Sequence, residues 1–408
     1  MKKKSLTNPT GKDIRHALMV GLWFMFLTFP LLVIKVNPIE QTVTWRWANM
    51  LWVGGASAAI ALACRLIAAR RTEKMEHLSR MPEQTALRHK LPLLFTQDRL
   101  RLLGAMVMLL LLAFPLAFST YQVNIMTTAL MYVILGLGLN IVVGFAGLLN
   151  LGYVAFYAVG AYTYGLLHLH FNLGFWMALP IGGLMGALFG LLLGFPVLRL
   201  RGDYLAIVTL GFGEIIRLVL ENWGAFSQGP SGIADIPRPG LFGIGMTLDQ
   251  SLVYQYYLTI AMALFTVFMV NRLRHSRIGR AWFALREDEI ACQAMGIDTT
   301  ALKLTAFALG AAWSGMTGVL FAAKTTFINP ASFTFMESAI ILCIVVLGGM
   351  GSIIGVAAAA LILMLLPEYL RAVAEYRMLV FGAVLVVMMI IRPRGLMQPM
   401  RQTHLPAR

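Results

Sequence analysis

Residues 122–144 decide the fold class, because they read QVNIMTTALMYVILGLGLNIVVG without a single charged side chain. A bilayer core about 30 Å thick requires about 20 helical residues at a rise of about 1.5 Å each. The stretch is long enough and apolar enough for one crossing. It therefore predicts a membrane-spanning helix.

Further apolar runs of similar length occur along the rest of the chain, at 16–36, 47–69, 100–118, 147–168, 174–198, 204–221, 252–271, 302–323 and 377–391. One more, 337–366, is interrupted by Gly-Gly-Met-Gly-Ser at 348–352. Its two halves are either two spans or a broken, partly re-entrant pair. The pattern predicts an all-α fold, a polytopic transmembrane helical bundle with about 10 to 12 membrane segments.

The composition excludes several other classes of protein. Hydrophobic residues make up 59% of the 408 residues and charged residues only 12%, against roughly 25% charged in soluble domains. This excludes an ordinary soluble enzyme and a disordered chain. Three cysteines are too few for a disulfide framework. The net charge of +15 would suggest nucleic acid in a soluble protein, but in a membrane protein it reports orientation, so no nucleic-acid partner is predicted.

The distribution of Lys and Arg predicts which side each loop occupies. With 337–366 counted as two crossings, 26 of the 33 Lys and Arg residues fall on the side of the two termini. By the positive-inside rule, both termini and the loop at 272–300 are predicted to be cytoplasmic, and the loop at 222–250 to lie outside. The first apolar run is about 20 residues long and lacks a cleavage site, which favours a retained span over a signal peptide.

The predicted spans divide the chain into three parts. Residues 1–110 form an N-terminal extension with two membrane spans and a cytoplasmic linker, which is the polar stretch at 70–99. Residues 111–397 form a core that is richer in glycine and other small residues, which allow close helix packing. Residues 398–408 form a cytoplasmic tail.

The loop between two strong spans reads HSRIGRAWFALREDEIACQAMGID at 275–298. It predicts one short helix at 280–286 and a second that Asp288 caps and Gly296 ends. Ala291, Ala294 and Met295 are predicted to share one face. A short helix with an apolar face suits docking into a groove of another protein, although a solvated loop carrying positive-inside charges is an alternative.

This loop resembles the coupling segment of the branched-chain amino acid permeases of ABC importers, the LivH/LivM family. The resemblance rests on residues 277–281, 284–291 and 296–297 in the loop. It continues through 144–147, 151–152, 160–162, 199–204, 209–214, 303–307, 330–333, 346–352 and 392–396. The extra N-terminal spans resemble the LivM type within that family. The outside loop at 227–233 departs from the family pattern, since Gln228 replaces a glycine.

The resemblance implies a permease subunit that translocates leucine, isoleucine and valine across the inner membrane of a bacterium. It implies four kinds of partner besides membrane lipid: a second permease subunit, two ABC ATPase subunits, a periplasmic amino-acid-binding protein, and the amino acid itself. The ATPase-coupling residues would be Arg280, Ala281, Arg286, Glu287, Asp288, Glu289, Ala291 and Gly296. The chain has no Walker A motif, so ATP hydrolysis is assigned to separate subunits, and no cofactor is predicted on this chain.

Three polar residues in apolar runs are candidates for the translocation pathway, namely Asn140, Asn150 and Glu214. Interhelical hydrogen bonding is the alternative for both asparagines, and a salt bridge with Arg217, three residues along the same helix, is the alternative for Glu214. A self-sufficient secondary amino-acid transporter is the alternative function, and it would need an acidic site near the bilayer centre, for which Glu214 is the only candidate considered. A membrane-embedded enzyme would need clustered His, Asp or Glu, which the sequence does not offer.

Overall fold

The computed structural model describes residues 34–37, 42–45, 111–115, 118–197, 200, 202–240 and 247–369, with isolated positions at 382, 386, 395 and 396. The predicted spans at 16–36, 47–69, 100–118 and 377–391 lie wholly or mostly outside these residues. So do the linker at 70–99 and the tail at 398–408. The division into extension, core and tail therefore stays a prediction.

The first described segment is a β-hairpin. Strand β1, Ile34–Asn37, pairs antiparallel with strand β2, Thr42–Trp45, in a register that sets Ile34 opposite Trp45. The sequence predicted a helix to residue 36 followed by a loop at 37–46, and the last residues of that helix prediction are wrong. β-Branched residues fill five of the eight strand positions, and such residues favour extended backbone over helix.

The remaining described chain is helical. Its α-helices are α1 Thr120–Leu139, α2 Tyr153–Phe171, α3 Phe175–Val197, α4 Asp203–Asn222, α5 Gly224–Ser227, α6 Leu248–His275, α7 Arg277–Glu287, α8 Glu289–Ala294, α9 Thr299–Thr325, α10 Phe335–Gly348 and α11 Ile353–Tyr369. A π-helical turn, Asn140–Phe145, extends α1, and short 3₁₀ turns occupy Gly229–Ser231 and Pro330–Ser332.

Five helical segments of the described chain are long and apolar enough to cross a membrane. They are Thr120–Phe145, Phe175–Pro196, Leu248–His275, Thr299–Thr325 and Pro330–Gly348. The predicted all-α polytopic bundle is therefore confirmed. The predicted interruption at 348–352 is also present, because α10 ends at Gly348 and α11 begins at Ile353, with Gly349 and Gly351 both at positive φ between them.

Glycine brings α9 into close contact with α2 and α3. A Cβ atom at Gly160 of α2 would lie 2.0 Å from the carbonyl oxygen of Gly315 in α9. A Cβ atom at Gly315 would in turn lie 2.2 Å from the carbonyl oxygen of Gly182 in α3. Only glycine permits backbones to approach so closely, which is how small residues stabilise helix association where there is no hydrophobic driving force.

The connection between α1 and α2 turns back into the bundle. After the π-helical turn, the chain is non-helical until α2 begins at Tyr153. Leu151 donates its backbone N–H to Thr209 Oγ1 of α4 at 3.0 Å, and Val154 donates its own to Ser338 Oγ of α10 at 2.9 Å. These bonds satisfy backbone groups that lipid would leave unpaired, so the break is tolerated where protein surrounds it. The predicted run at 147–168 thus begins its helix later than its hydropathy suggested.

Candidate coupling surface and intramembrane polar sites

The predicted coupling segment, called the coupling segment below, consists of α7 and α8, and side chains define each end. Ser276 caps α7 by accepting a hydrogen bond from Gly279 N at 3.1 Å, so the helix begins at Arg277, earlier than predicted. Asp288 caps α8 by accepting from Ile290 N and Ala291 N at 2.8 and 3.1 Å. Gly296 has φ +77° and donates to Gln293 O, which ends α8. The predicted cap and stop are confirmed.

Three contacts attach the coupling segment to the membrane helices. Trp282 is fully buried and donates its indole N–H to Leu302 O in α9 at 2.9 Å. Glu289 forms a salt bridge with Lys303 of α9 at 2.7 Å, in which the lysine side chain is only 5% exposed. Arg286 donates to Gly144 O in the π-helical turn at 2.6 Å. Two elements of the bundle therefore hold the segment in place.

The opposite face of the coupling segment is open. Ile290 is 66% exposed and Met295 is 81% exposed, and Ala291 and Ala294 between them are also exposed. An apolar patch on a short helix is unusual for a solvated loop and typical of a binding surface. We call Ile290, Ala291, Ala294 and Met295 the α8 patch.

The eight predicted coupling residues therefore separate into two groups. Arg286 and Glu289 bind this chain's own helices, and Ala281 is half-buried. Arg280 is exposed and donates to His275 O at the end of α6. Arg286 is exposed despite its bond, as are Glu287, Asp288, Ala291 and Gly296. Sequence reasoning missed Trp282 and Lys303 as anchors. The sequence did contain a signal for Lys303: it is a lone charge in the first turns of an apolar helix, and a charge there requires a partner.

Asn140 and Asn150 both lie at the break between α1 and α2 and are fully buried. Asn140 Oδ1 accepts from Gly351 N at 2.8 Å, which ties the π-helical turn to the interruption between α10 and α11. Asn150 Oδ1 accepts from Gly152 N at 3.1 Å. In both side chains the amide nitrogen has no hydrogen-bond partner among the described residues. Asn140 thus forms a hydrogen bond between distant segments, as the alternative of interhelical bonding predicted, while Asn150 bonds locally, next to α2.

Glu214 belongs to a salt-bridge ladder along α4. Arg217 binds Glu214 at 2.8 Å and Glu221 at 2.7 Å, with the three side chains between 25% and 39% exposed. The predicted pair is confirmed and gains a second carboxylate. Since one arginine serves two carboxylates on one helix, the ladder satisfies itself without a further ligand.

A second set of polar residues follows one face of α1. Asn124, Thr128 and Tyr132 recur every four residues, so they lie one above another. Lys324 of α9 donates to Asn124 O at 3.1 Å and also to Thr128 Oγ1. Tyr132 donates its hydroxyl to Glu337 of α10. We call these five residues the α1 polar face.

Sequence reasoning missed the α1 polar face. Lys324 was counted only as an outside charge, and Glu337 stood at the start of an apolar run. The signal was present in the spacing of three polar residues within the apolar stretch at 122–144. Their charged partners come from helices far away in sequence, which a single run does not reveal.

An apolar cavity of about 320 Å³ lies between α2, α3, α4 and α5. Its lining is aliphatic and aromatic apart from the polar groups of Tyr162, Thr163 and Ser227. It contains none of the charged residues described above.

Comparison with known proteins decides the family. Residues 121–389 match the sequence model of the family described as the branched-chain amino acid transport system permease component. The chain belongs to this family. The family is therefore the one that the sequence motifs predicted, and the matched region contains the coupling segment and the α1 polar face.

Individual relatives agree with the family match. The chain is 50% identical to the high-affinity branched-chain amino acid transport system permease protein LivM of Escherichia coli over 319 residues, which cover 73% of this chain and 75% of that protein. It is 26% identical to the permease protein LivH of the same organism, over 69% of this chain and 96% of LivH. It is 29% identical to the autoinducer 2 import permease LsrC of Escherichia coli, over 56% of this chain and 67% of LsrC.

No solved structure matches the fold. The family and the apolar helices make this chain a multi-pass membrane permease component, with a role in transport rather than catalysis.

Proposed function

We propose that this chain is a transmembrane permease subunit of an ATP-driven importer that translocates leucine, isoleucine and valine across a bacterial inner membrane. The observation that supports this most strongly is the 50% identity to a LivM permease over three quarters of that relative. Both termini face the cytoplasm in this proposal, as the distribution of Lys and Arg predicts.

The chain forms one half of the translocation pathway. A LivH-like permease forms the other half, two ABC ATPase subunits dock from the cytoplasm, and a periplasmic binding protein delivers the amino acid. The similarity to both LivM and LivH supports a pair of related permeases. The exposed α8 patch supports a protein partner at the predicted cytoplasmic loop.

The geometry supports a route by which ATPase movement reaches the membrane. Force applied to the α8 patch passes to α9 through Glu289–Lys303 and Trp282–Leu302. It also passes through Arg286 to the π-helical turn, and from Asn140 to Gly351. π-Helical turns occur frequently at functional sites, and glycines at positive φ absorb backbone rotation, so this region suits alternating access.

The test is ATP-dependent uptake by the purified complex in vesicles. Co-expressing the chain with its neighbouring permease and ATPase genes should yield a complex that accumulates labelled leucine when ATP and loaded binding protein are present. A complex with a disabled ATPase should not accumulate it. Uptake driven by an ion gradient without ATP would contradict the proposal and favour a secondary transporter.

A further inference from the structure

Two opposite charges lie within membrane-spanning segments against the same helix. Lys324 belongs to the span Thr299–Thr325 and Glu337 to the span Pro330–Gly348. Both side chains contact α1, the lysine at Thr128 and the glutamate at Tyr132, which are successive turns of one face. The contact points are therefore one helical turn apart, about 5.4 Å along α1.

Glu337 lies deep in the bundle rather than at its rim. Tyr132 is twelve residues along α1 from Thr120, or about 18 Å at a rise of about 1.5 Å per residue. The residue after Glu337, Ser338, is fully buried and bonded to the first turn of α2. The carboxylate thus contacts α1 near the middle of the segment Thr120–Phe145 rather than at its end.

Neither charge is neutralised by an ion pair within the described chain. Among the described residues, Lys324 donates to a carbonyl and a hydroxyl, and Glu337 accepts from a hydroxyl. By contrast, Arg217 of α4 binds Glu214 and Glu221, and Lys303 of α9 binds Glu289, all at 2.7 to 2.8 Å. Lys324 and Glu337 therefore differ from the structural ion pairs of this protein.

The α1 polar face is also only partly covered. Thr128, Tyr132, Lys324 and Glu337 are all half-buried, while the α1 residues on either side of this face are buried. A charged side chain within a membrane helix is costly to insert, so such residues face a bundle interior or a water-filled cavity rather than lipid. The partly open face is therefore the side of α1 that borders the pathway.

We propose that the α1 polar face binds the charged groups of the amino acid during translocation. Lys324 binds the α-carboxylate, Glu337 binds the α-ammonium, and Thr128 and Tyr132 position these two side chains. This inference rests on the proposed function and names the part of the chain that recognises substrate. Exposed Phe335 and Met336 immediately precede Glu337 and supply apolar surface for a branched side chain.

The physical argument is complementarity of charge and spacing. Every α-amino acid carries one ammonium and one carboxylate on the same carbon atom, whatever its side chain. Lys324 and Glu337 match that pattern, because they are a cation and an anion without ionic partners among the described residues and contact α1 one helical turn apart. Charge-assisted hydrogen bonds are about twice as strong as neutral ones, so each pairing recovers part of the cost of dehydrating the zwitterion.

The experiment measures leucine uptake by the complete reconstituted transporter with Lys324→Met, with Glu337→Gln, and with the conservative variants Lys324→Arg and Glu337→Asp. Each neutral variant should lower uptake about 10- to 100-fold, the range expected for losing a hydrogen bond to a charged group. The conservative variants should keep more of it. Stimulation of ATP hydrolysis by leucine-loaded binding protein, and co-purification of all subunits, should persist.

The matched control is Glu221→Gln, which removes a carboxylate from the α4 ladder and should keep uptake near wild type. Neutral variants that assemble and transport within about twofold of wild type would overturn the inference, as would neutral variants that fail to assemble, since the charges would then be structural. A wild-type complex that does not transport leucine would instead overturn the proposed function.

Labelling of a cysteine at position 128 is a second measurement. Thr128→Cys is a small substitution, so the variant should fold. In a chain whose three native cysteines are replaced by alanine, a water-soluble thiol reagent should label residue 128 in the complex. Leucine delivered by the binding protein should slow that labelling. Labelling that leucine leaves unchanged, or a complete lack of labelling in an active complex, would contradict the assignment.

Discussion

Single charged residues of the helices pair at short distances, since Arg217 binds Glu214 at 2.8 Å on α4 and Lys303 of α9 binds Glu289 of the coupling segment at 2.7 Å. A charge in an apolar run must have a partner, but the run does not say from which helix it comes. Arg217 and Glu214 were predictable because both lie on α4, three residues apart. Lys303 with Glu289 was not, because the lysine belongs to a membrane helix and the glutamate to the coupling segment.

The Glu289–Lys303 pair gives the first prediction. Lys303→Met leaves Glu289 largely buried without its cation, and breaking a buried pair on one side costs about 3–5 kcal/mol before allowing for the carboxylate's partial exposure. We expect the purified complex to unfold at lower temperature and uptake to fall.

The control is the double variant Lys303→Met with Glu289→Gln, which removes both charges. It should recover much of the lost thermal stability. If the double variant is no more stable than Lys303→Met alone, the pair does not contribute through its charge.

Asn140 gives the second prediction. Asn140→Ala removes the acceptor of Gly351 N–H, and a buried donor without an acceptor costs about 1–3 kcal/mol. Thermal unfolding of the complex should shift downwards. At low pH, where the buried carboxyl is protonated and carries no charge, Asn140→Asp should shift it less, because one oxygen still accepts from Gly351 N–H. Equal effects of the two substitutions would show that the bond to Gly351 does not determine the stability.

At the scale of elements, the sequence predicted those features that depend on near neighbours. The caps of α7 and α8 follow from Ser276, Asp288 and Gly296, which act within one turn. The late start of α2 depends on Thr209 and Ser338, which approach from distant helices, and the π-helical turn is tied to Gly351 through Asn140. Hydropathy therefore placed the apolar runs and missed the break inside the bundle.

The α8 patch gives the third prediction. Ala291→Trp places a bulky ring where a partner groove must approach, and should weaken ATPase docking by about 1–3 kcal/mol, the scale of ordinary interface residues. Co-purification of the ATPases and leucine uptake should decrease together, while membrane insertion stays normal. Thr300→Trp, an equally bulky change at an exposed position in the first turn of α9, is the control. If Ala291→Trp behaves like that control, the α8 patch does not bind the ATPases.

The crossing of α2 and α9 gives the fourth prediction. Gly160→Ala would place a methyl group 2.0 Å from Gly315 O, so the helices must separate, and the amount of folded complex should fall sharply. Gly211→Ala on α4 is the matched control, because a Cβ atom there meets nothing within 4 Å and alanine favours helix by up to about 1 kcal/mol. Equal yields of the two variants in size-exclusion chromatography would contradict close packing at this crossing.

At the scale of the whole molecule, orientation is a property that the sequence addresses directly. The positive-inside rule depends on the sum of Lys and Arg over many loops, so it does not require knowledge of any single contact. The structure identifies exposed positions at which the predicted orientation can be tested. Met295 in the α8 patch and Ala234 in the opposite loop are both exposed.

The last prediction uses these two positions. With the native cysteines replaced, a membrane-impermeant thiol reagent should reach Ala234→Cys from the outside, and Met295→Cys only after the inner membrane is opened. The reason is the predicted charge distribution, in which 272–300 belongs to the side that carries 26 of the 33 Lys and Arg residues. Labelling of residue 295 but not 234 before the membrane is opened would reverse the orientation. The α8 patch would then face away from any cytoplasmic ATPase, and the coupling assignment would be wrong together with the topology.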